Sequence, residues 1–241
     1  MKIRLILTIL IVLMFLTNIM PIFVISEKTN ITIYVDDDGT ADYSNIQDAI
    51  DAAFDGDTVF VYNGFYHENL NINKEICLMG EDNKNTIIDS DNRNDTISIN
   101  ANNVKISGFK IQHGYIGIKL AGVGYSDISN NVIYDNTVGI SISFNSHYNE
   151  VYSNEIIGNK NMGVSVYYVQ EDNYNSFSSN NFIDNGKNAR PEGVRCEWSN
   201  NYWDNWIGNK INALDFLPYL VHFYPLNFDW HPALERYDIA S

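Results

Sequence analysis

The sequence is poor in the residues that define several protein classes. It has two cysteines in 241 residues, Cys77 and Cys196. If the chain winds one coil per repeat they sit about five coils apart, more than ~20 Å at the strand spacing. A disulfide tolerates no more than ~7 Å between Cα atoms, so both read as packing residues. Basic residues are scarce, 15 against 30 acids for a net charge of −15, and residues 104–185 contain no arginine. That balance disfavours nucleic acid and anionic polymers unless cations intervene, and favours neutral ligands, divalent cations or a salty exterior. The repeats lack helical periodicity, and they lack the Leu-x-x-Leu-x-Leu frame of leucine-rich repeats. The five histidines, His67, His113, His147, His222 and His231, have no short metal-ligand spacing, so no dedicated zinc or copper site is expected.

What is abundant is asparagine, 34 residues, much of it in a repeated phrase. The copies are Ile128-Ser129-Asn130-Asn131-Val132-Ile133, Val151-Tyr152-Ser153-Asn154-Glu155-Ile156, Ser178-Ser179-Asn180-Asn181-Phe182-Ile183 and Trp198-Ser199-Asn200-Asn201-Tyr202-Trp203. Anchored on Asn131, Asn154, Asn181 and Asn201, the steps are 23, 27 and 20 residues; a second phrase, at Gly117, Gly139 and Gly163, steps by 22 and 24. Val104–Ile111 aligns with the first copy, with Phe109 at the Asn131 position. A period in this range marks a solenoid. Alternation within Gly139–Phe144 places Ile140, Ile142 and Phe144 on one face and Ser141 and Ser143 on the other. Asparagine tolerates left-handed backbone and, stacked coil on coil, forms amide ladders. The fold class is therefore an all-β solenoid, a single-stranded right-handed parallel β-helix of roughly six or seven coils at one coil per repeat.

Four regions are expected. Residues 1–26 place Lys2 and Arg4 before an apolar run and end at Val24-Ile25-Ser26, which reads as a signal peptide or, since the run is long enough to span a bilayer, an N-terminal membrane anchor. Two of the fifteen basic residues and no acid fall there, leaving 13 bases against 30 acids, a charge of −17. Residues 27–56 form an N-terminal cap. Its helix is announced by Ser44 with Gln47 three residues on, a capping-box signature, and by Ile46, Ala49, Ile50, Ala53 and Phe54 on one face, ending near Gly56. Residues 57–205 are the coils. Residues 206–241 are a C-terminal cap or tail, and the aromatics Trp203, Trp206, Phe216, Tyr219, Phe223, Tyr224, Phe228 and Trp230 form an expected plug over the last coil, since open solenoid ends expose unpaired strands. Sequons at Asn30 and Asn94 are what chance supplies at this asparagine content.

Two segments carry a family resemblance. The first runs from Tyr34-Val35-Asp36-Asp37-Asp38-Gly39-Thr40 through Tyr43–Ala53, Gly56-Asp57-Thr58-Val59 and Gly64–Leu70 to Ile76–Gly80 and Thr86-Ile87-Ile88; it resembles the opening of pectin-lyase-like β-helix proteins, including pectin methylesterases and NosD-type proteins. The second, Ser199–Gly208 with Tyr224-Pro225 and Phe228–Pro232, is similar to the C-terminal ends of archaeal secreted NosD-like proteins. The resemblance implies an extracytoplasmic right-handed β-helix of a kind often associated with carbohydrate binding or processing. NosD proteins themselves are periplasmic accessory factors for a copper enzyme, but the matching residues here shape caps and coils, so no copper role follows from them.

The catalytic motifs of relatives are absent. Polygalacturonase-like enzymes use Asn-Thr-Asp, Asp-Asp, Gly-His-Gly and Arg-Ile-Lys, and pectin methylesterases use Asp-Phe-Ile-Phe-Gly and Arg-Pro-Trp; none of these motifs stands in the coils, and the arginine base that pectate lyases need beside calcium is missing from the central coils, 104–185. A glycosidase needs carboxylates facing one groove. The coil acids Asp127, Asp135, Glu150, Glu155, Glu171, Asp172 and Asp184 include Asp135 and Asp184 at turn positions comparable to Asn159, where a side chain bonds its own backbone. No cofactor is expected apart from Ca2+, for which Asp89, Asp91 and Asp95 are the candidate ligands; Asp36-Asp37-Asp38-Gly39 reads as a turn. Tyrosines are frequent in the coils, at Tyr115, Tyr125, Tyr134, Tyr148, Tyr152, Tyr167, Tyr168 and Tyr174. Of these, Tyr115, Tyr134, Tyr152, Tyr167 and Tyr168 are the candidate ligand-binding residues, because aromatic rings with a polar tip make good exposed contacts. The expected activity is the binding of polysaccharide or a cell-envelope component by a secreted or surface protein, with no nucleic acid and no membrane contact beyond the N-terminal segment. A divergent lyase or hydrolase and a structural or assembly protein are the alternatives.

Overall fold

The computed structural model describes residues 29–91, 94–168, 173–191, 196–206, 218–222 and 227–239. The signal or anchor segment and the plug residues Phe216, Phe223 and Tyr224 lie outside them. Each turn of the chain gives one short strand to each of three sheets, A with ten strands, B with seven and C with six. One turn consists of Asp127–Ser129 in A, Val132–Tyr134 in B and Val138–Ser143 in C. The next turn stacks on it in parallel register, Ile128 beside Val151, Ile133 beside Ile156 and Ile140 beside Val164. The seven strands of sheet B count seven turns. Among the described residues a single strand pair is antiparallel, Tyr219–His222 with Asn227–Asp229.

Alternation sends one column of side chains from each sheet inward. In sheet A this is Val59, Leu78, Ile106, Ile128, Val151, Phe177 and Trp198, and in sheet B Tyr66, Ile88, Ile111, Ile133, Ile156, Phe182 and Trp203; all are buried. The aliphatic stack ends in paired aromatics, Phe177 on Trp198 and Phe182 on Trp203, each with centroids 4.2 Å apart. Trp203 thus belongs inside the last turn and not to a plug beyond it. Trp206 is buried with it, whereas Trp230 is exposed. Neither cysteine forms a disulfide. Ile140 and Ile142 face inward as the alternation requires, but Phe144 does not follow them: its φ of +54° breaks the strand and turns the ring out to solvent.

The three corners are held by amide ladders. Between sheets A and B, Asn131, Asn154, Asn180 and Asn201 stack and end on Asp229. Between B and C the column is Asn136, Asn159 and Asn185, and between C and A it is Ser126, Asn149 and Asn175. The repeat alignment is therefore shifted by one at its third copy: Asn180 is the stacked residue, and Asn181 instead exchanges two hydrogen bonds of 2.9 Å with the backbone of Tyr237. Likewise Asn159 stacks with Asn136 and is not the counterpart of Asp135. The side chain of Asn154 shows what each rung does. Its Oδ1 accepts from the backbone N–H and Nδ2 of Asn131, and its Nδ2 donates to Ile128 O, Tyr152 O and Asn180 Oδ1. A buried amide of this kind is tolerated only because it is bonded throughout.

The first strands of sheets B and C would present open edges, and side chains occupy them. The helix Ile46–Ala52 packs Ile46, Ala49 and Ile50 inward. Its Gln47 imitates a strand, accepting from Asn71 N at 2.8 Å and donating to Asn71 O at 3.3 Å. Asp37 accepts the N–H of Phe65 on the edge strand of sheet B. The capping-box expectation is corrected: Asn45 is the N-cap residue with no side-chain cap bond, and the Glu68 carboxylate takes the N–H groups of Ile46 and Gln47. Phe54, expected on the buried face, is exposed because the helix ends at Ala52. Asp36-Asp37-Asp38-Gly39 is a turn, with Asp36 accepting from Asp38 N and Asp38 from Thr40 N.

Replacing Asn154 by Ala strips several buried partners at once, each unmet group costing about 1–3 kcal/mol. Urea unfolding should show a loss of at least about 3 kcal/mol for Asn154→Ala, against less than about 0.5 kcal/mol for the exposed Asn161→Ala. Equal effects would mean that the ladder is incidental.

Candidate functional site

Two corners of the solenoid carry chemistry. The first joins sheet C to sheet A. Here the left-handed backbone positions hold Tyr125, Phe144, Tyr148, Tyr168 and Tyr174, with φ between +52° and +60°. At the other corners the same conformation is filled by Asn130, Ser153, Ser179 and Asn200, or by His113, Asp135, Gly158 and Asp184. Asparagine and glycine occupy that region at little cost, whereas a larger side chain loses roughly 1–2 kcal/mol per residue. The rings are also exposed, Tyr168 to 75 %. Tyr125, Tyr148 and Tyr174 come from three successive turns and stack nearly parallel, with centroids 5.2 Å and then 4.9 Å apart and planes within 5° and 8°. His147 meets Tyr125 and Tyr148 edge-on, and Phe144 stacks on Tyr168 at 6.4 Å. Among the described residues none of the phenol groups of Tyr125, Tyr148, Tyr168 and Tyr174 has an intramolecular hydrogen bond. The corner therefore offers ring edges, outer ring faces and free hydroxyls in a row along the axis.

The tyrosines expected to bind ligand are dispersed. Tyr167 and Tyr168 belong to this corner. Tyr115 lies at the B–C side, in a groove of about 520 Å³ with Asn69, Asn71, Asn94 and Asp95. Tyr134 points out from sheet B beneath Lys110, whose Nζ stands 4.8 Å from the ring centroid. Tyr152 is on the outer face of sheet A. Residue type alone does not single out Tyr125, Tyr148 and Tyr174 as a set. The signal that could have done so is that each immediately precedes a member of one ladder, Ser126, Asn149 and Asn175, and so steps by the same 23 and 26 residues.

The second place is the corner where sheet B ends. Asp89 and Asp91, two of the expected metal ligands, meet there with His67, the three ligand atoms lying within 4.8 Å of one another. Asp95 stands apart: its carboxylate is paired with Lys119 of the next turn at 2.9 Å. Asp89 is buried and accepts from Gln112 Nε2 at 2.8 Å, from Asp91 N at 2.9 Å and from His113 Nδ1 at 2.8 Å. The other nitrogen of His113 is 3.5 Å from Asp135, which also pairs with Lys160. Burial acts most strongly on the Asp89 carboxyl and raises its pKa, yet the bonds from Gln112, Asp91 and His113 together outweigh it and hold the group below its ordinary 3.8. His67 was not among the expected ligands. It lies 22 residues before Asp89, one turn earlier in the same column.

The chain is thus a parallel β-solenoid with an exposed aromatic corner and a separate histidine–carboxylate corner. Residues 50–173 and 117–216 match the family described as periplasmic copper-binding protein (NosD), and the chain belongs to that family. A cell surface glycoprotein of Methanothermus fervidus is 39% identical over 94 residues, 38% of this chain and 16% of that protein, so the match spans a minor part of the relative. Among solved structures, an alginate lyase from Paenibacillus sp. str. FPU-7 superposes with a TM-score of 0.56 at 16% identity, covering 71% of this chain and 66% of the lyase, just under two thirds of its length. A pectin methylesterase from carrot gives 0.49 at 15% identity over 72% and 77%. At such identities the lyase likeness is one of fold.

The state of Asp89 sets a pH dependence. A carboxyl whose folded pKa is lowered adds stability above its unfolded value, and that stability is lost as pH falls through the folded value. Wild-type protein should lose stability from about pH 4 downward, and Asp89→Asn should flatten that acid limb while lowering stability at pH 7. An unchanged acid limb in thermal melts of the variant would refute the assignment.

Proposed function

We propose that the protein acts outside the cytoplasm, at the cell surface or secreted, and binds an uncharged polysaccharide along the corner between sheets C and A. The observation that carries this reading is the stack of Tyr125, Tyr148 and Tyr174, held at left-handed positions where smaller residues are cheaper. Strained positions that persist over three turns point to use beyond folding. Aromatic surfaces with free hydroxyls suit sugars, whose rings offer C–H faces and hydroxyl rims. A neutral ligand follows from charge. Residues 122–126 and 144–149 hold no Lys or Arg, and the chain between Tyr168 and Tyr174 adds only the acids Glu171 and Asp172. A polyanion such as alginate would meet a protein of net charge −15. The family description and the surface glycoprotein relative agree with a location outside the cytoplasm.

The test is affinity electrophoresis of the purified protein through neutral glucans, xylans and mannans, with alginate and polygalacturonate as charged comparisons. Retention is expected in at least one neutral gel and in neither charged one. Tyr148→Asn should weaken retention at least tenfold. Its stability should change by no more than about 2 kcal/mol. The substitution removes the stacking of Tyr148 on Tyr125 and Tyr174, about 0.5–1.5 kcal/mol for each pair, and relieves roughly 1–2 kcal/mol of backbone strain. Retention that is unchanged in Tyr148→Asn would refute the corner as the binding surface. New reducing or unsaturated ends in the eluted glycan would replace binding by catalysis.

A further inference from the structure

The aromatic corner leaves the cluster at the end of sheet B unexplained. We infer that His67, Asp89 and Asp91 form a binding site for one divalent first-row transition-metal ion. The geometry comes from the solenoid: His67 and Asp89 occupy neighbouring places in one column because Tyr66 pairs with Ile88. Asp91 returns to the same spot through a left-handed turn, φ +59°, closed by its own N–H on Asp89 Oδ1. Ligands about 2.0–2.2 Å from a tetrahedral metal stand about 3.4 Å apart. Three atoms that all lie within 4.8 Å of one another reach that spacing by approaches of at most about 1.4 Å. Rotation of the exposed His67 side chain can supply the approach, and buried Asp89 is the fixed point.

Two further observations separate this cluster from a chance gathering of surface acids. The first is that the His67 ring rests against Phe65 at 4.6 Å and, among the described residues, makes no hydrogen bond, so a nitrogen lone pair is available beside two carboxylates. The second is that the buried Asp89 carboxyl is oriented from behind by hydrogen bonds from Gln112 Nε2 and His113 Nδ1, both at 2.8 Å. Metal-binding carboxylates are usually fixed by such outer hydrogen bonds. Donor type selects the ion. One imidazole and two carboxylates suit Zn2+, Ni2+, Co2+ or Cu2+. Calcium wants six to eight oxygens and no nitrogen, which redirects the expectation of a calcium site. The thiolate and thioether donors that hold monovalent copper are not assembled with these residues. No other group of three such side chains occurs among the described residues. The net charge of −15 draws cations to the whole surface, so specificity must come from the three ligands.

Isothermal titration of chelator-washed full-length protein tests this with ZnCl2, and with CaCl2 as the contrasting ion. One equivalent of Zn2+ should bind, at least tenfold tighter than Ca2+. His67→Ala and Asp91→Asn, both at exposed positions that the core does not need, should each weaken Zn2+ at least tenfold with unchanged melting in the metal-free state. Zn2+ should raise the melting temperature of the wild type and not that of His67→Ala. The inference is overturned if Zn2+ binding is absent, is unaltered in both variants, or is matched by Ca2+.

Discussion

Everything in this fold rests on the hydrogen-bonded amide at the corner. A coil of about 23 residues must turn three times, and each turn buries backbone groups that no strand can pair. The ladder asparagines meet that demand in both directions, taking a donor from the preceding turn and returning donors to its carbonyls. Their bonds all run one way, from Nδ2 of one turn to Oδ1 of the next, so each rung polarises its neighbour. A directed array needs an acceptor at its donor end. Asp229 supplies it: one oxygen receives Asn201 N, Asn201 Nδ2 and Trp203 Nε1 at 2.9–3.1 Å, and the other receives His231 N. The carboxylate closes with charge what the amides begin with dipoles.

This constraint explains what could be read in advance. A residue type forced into one position per turn leaves a periodic trace, and so the solenoid, its parallel strands and its inward isoleucines were legible in the sequence. The choice between adjacent residues was legible only in part. In Asn180-Asn181 both residues fit the phrase, and nothing local says which one turns inward; the choice is made by the backbone of Tyr237, 56 residues away, which engages Asn181. The capping glutamate was hidden for the same reason. Glu68 reaches the helix from 22 residues beyond Ile46, a distance set by the coil and not by helical spacing.

The candidate sites were less legible than the fold, because a site in a solenoid is a column and a column is read by stepping one turn at a time. Tyr115, Tyr134, Tyr152 and Tyr168 share a residue type but occupy separate columns, so they do not stack on one another. Tyr125, Tyr148 and Tyr174 share a column and do meet. His67 joins Asp89 on the same rule, while Asp95, close to Asp91 in sequence, is diverted to Lys119 by the pairing of Ser98 with that lysine.

The same rule shows why aromatic rings at a left-handed corner are informative. Ladder residues and inward residues are fixed by packing, so their identity reports the fold. The outward left-handed position is free of that duty, and the chain fills it with Asn103 in one turn and with tyrosine in the next three. Stacking between the rings returns part of the strain, about 0.5–1.5 kcal/mol per stacked pair, but only after the first tyrosine has been placed beside a second. A lone substitution of Asn103 by tyrosine would add one ring neighbour and bear the full backbone cost. The column is therefore cheaper as a set than one ring at a time, and costly to begin.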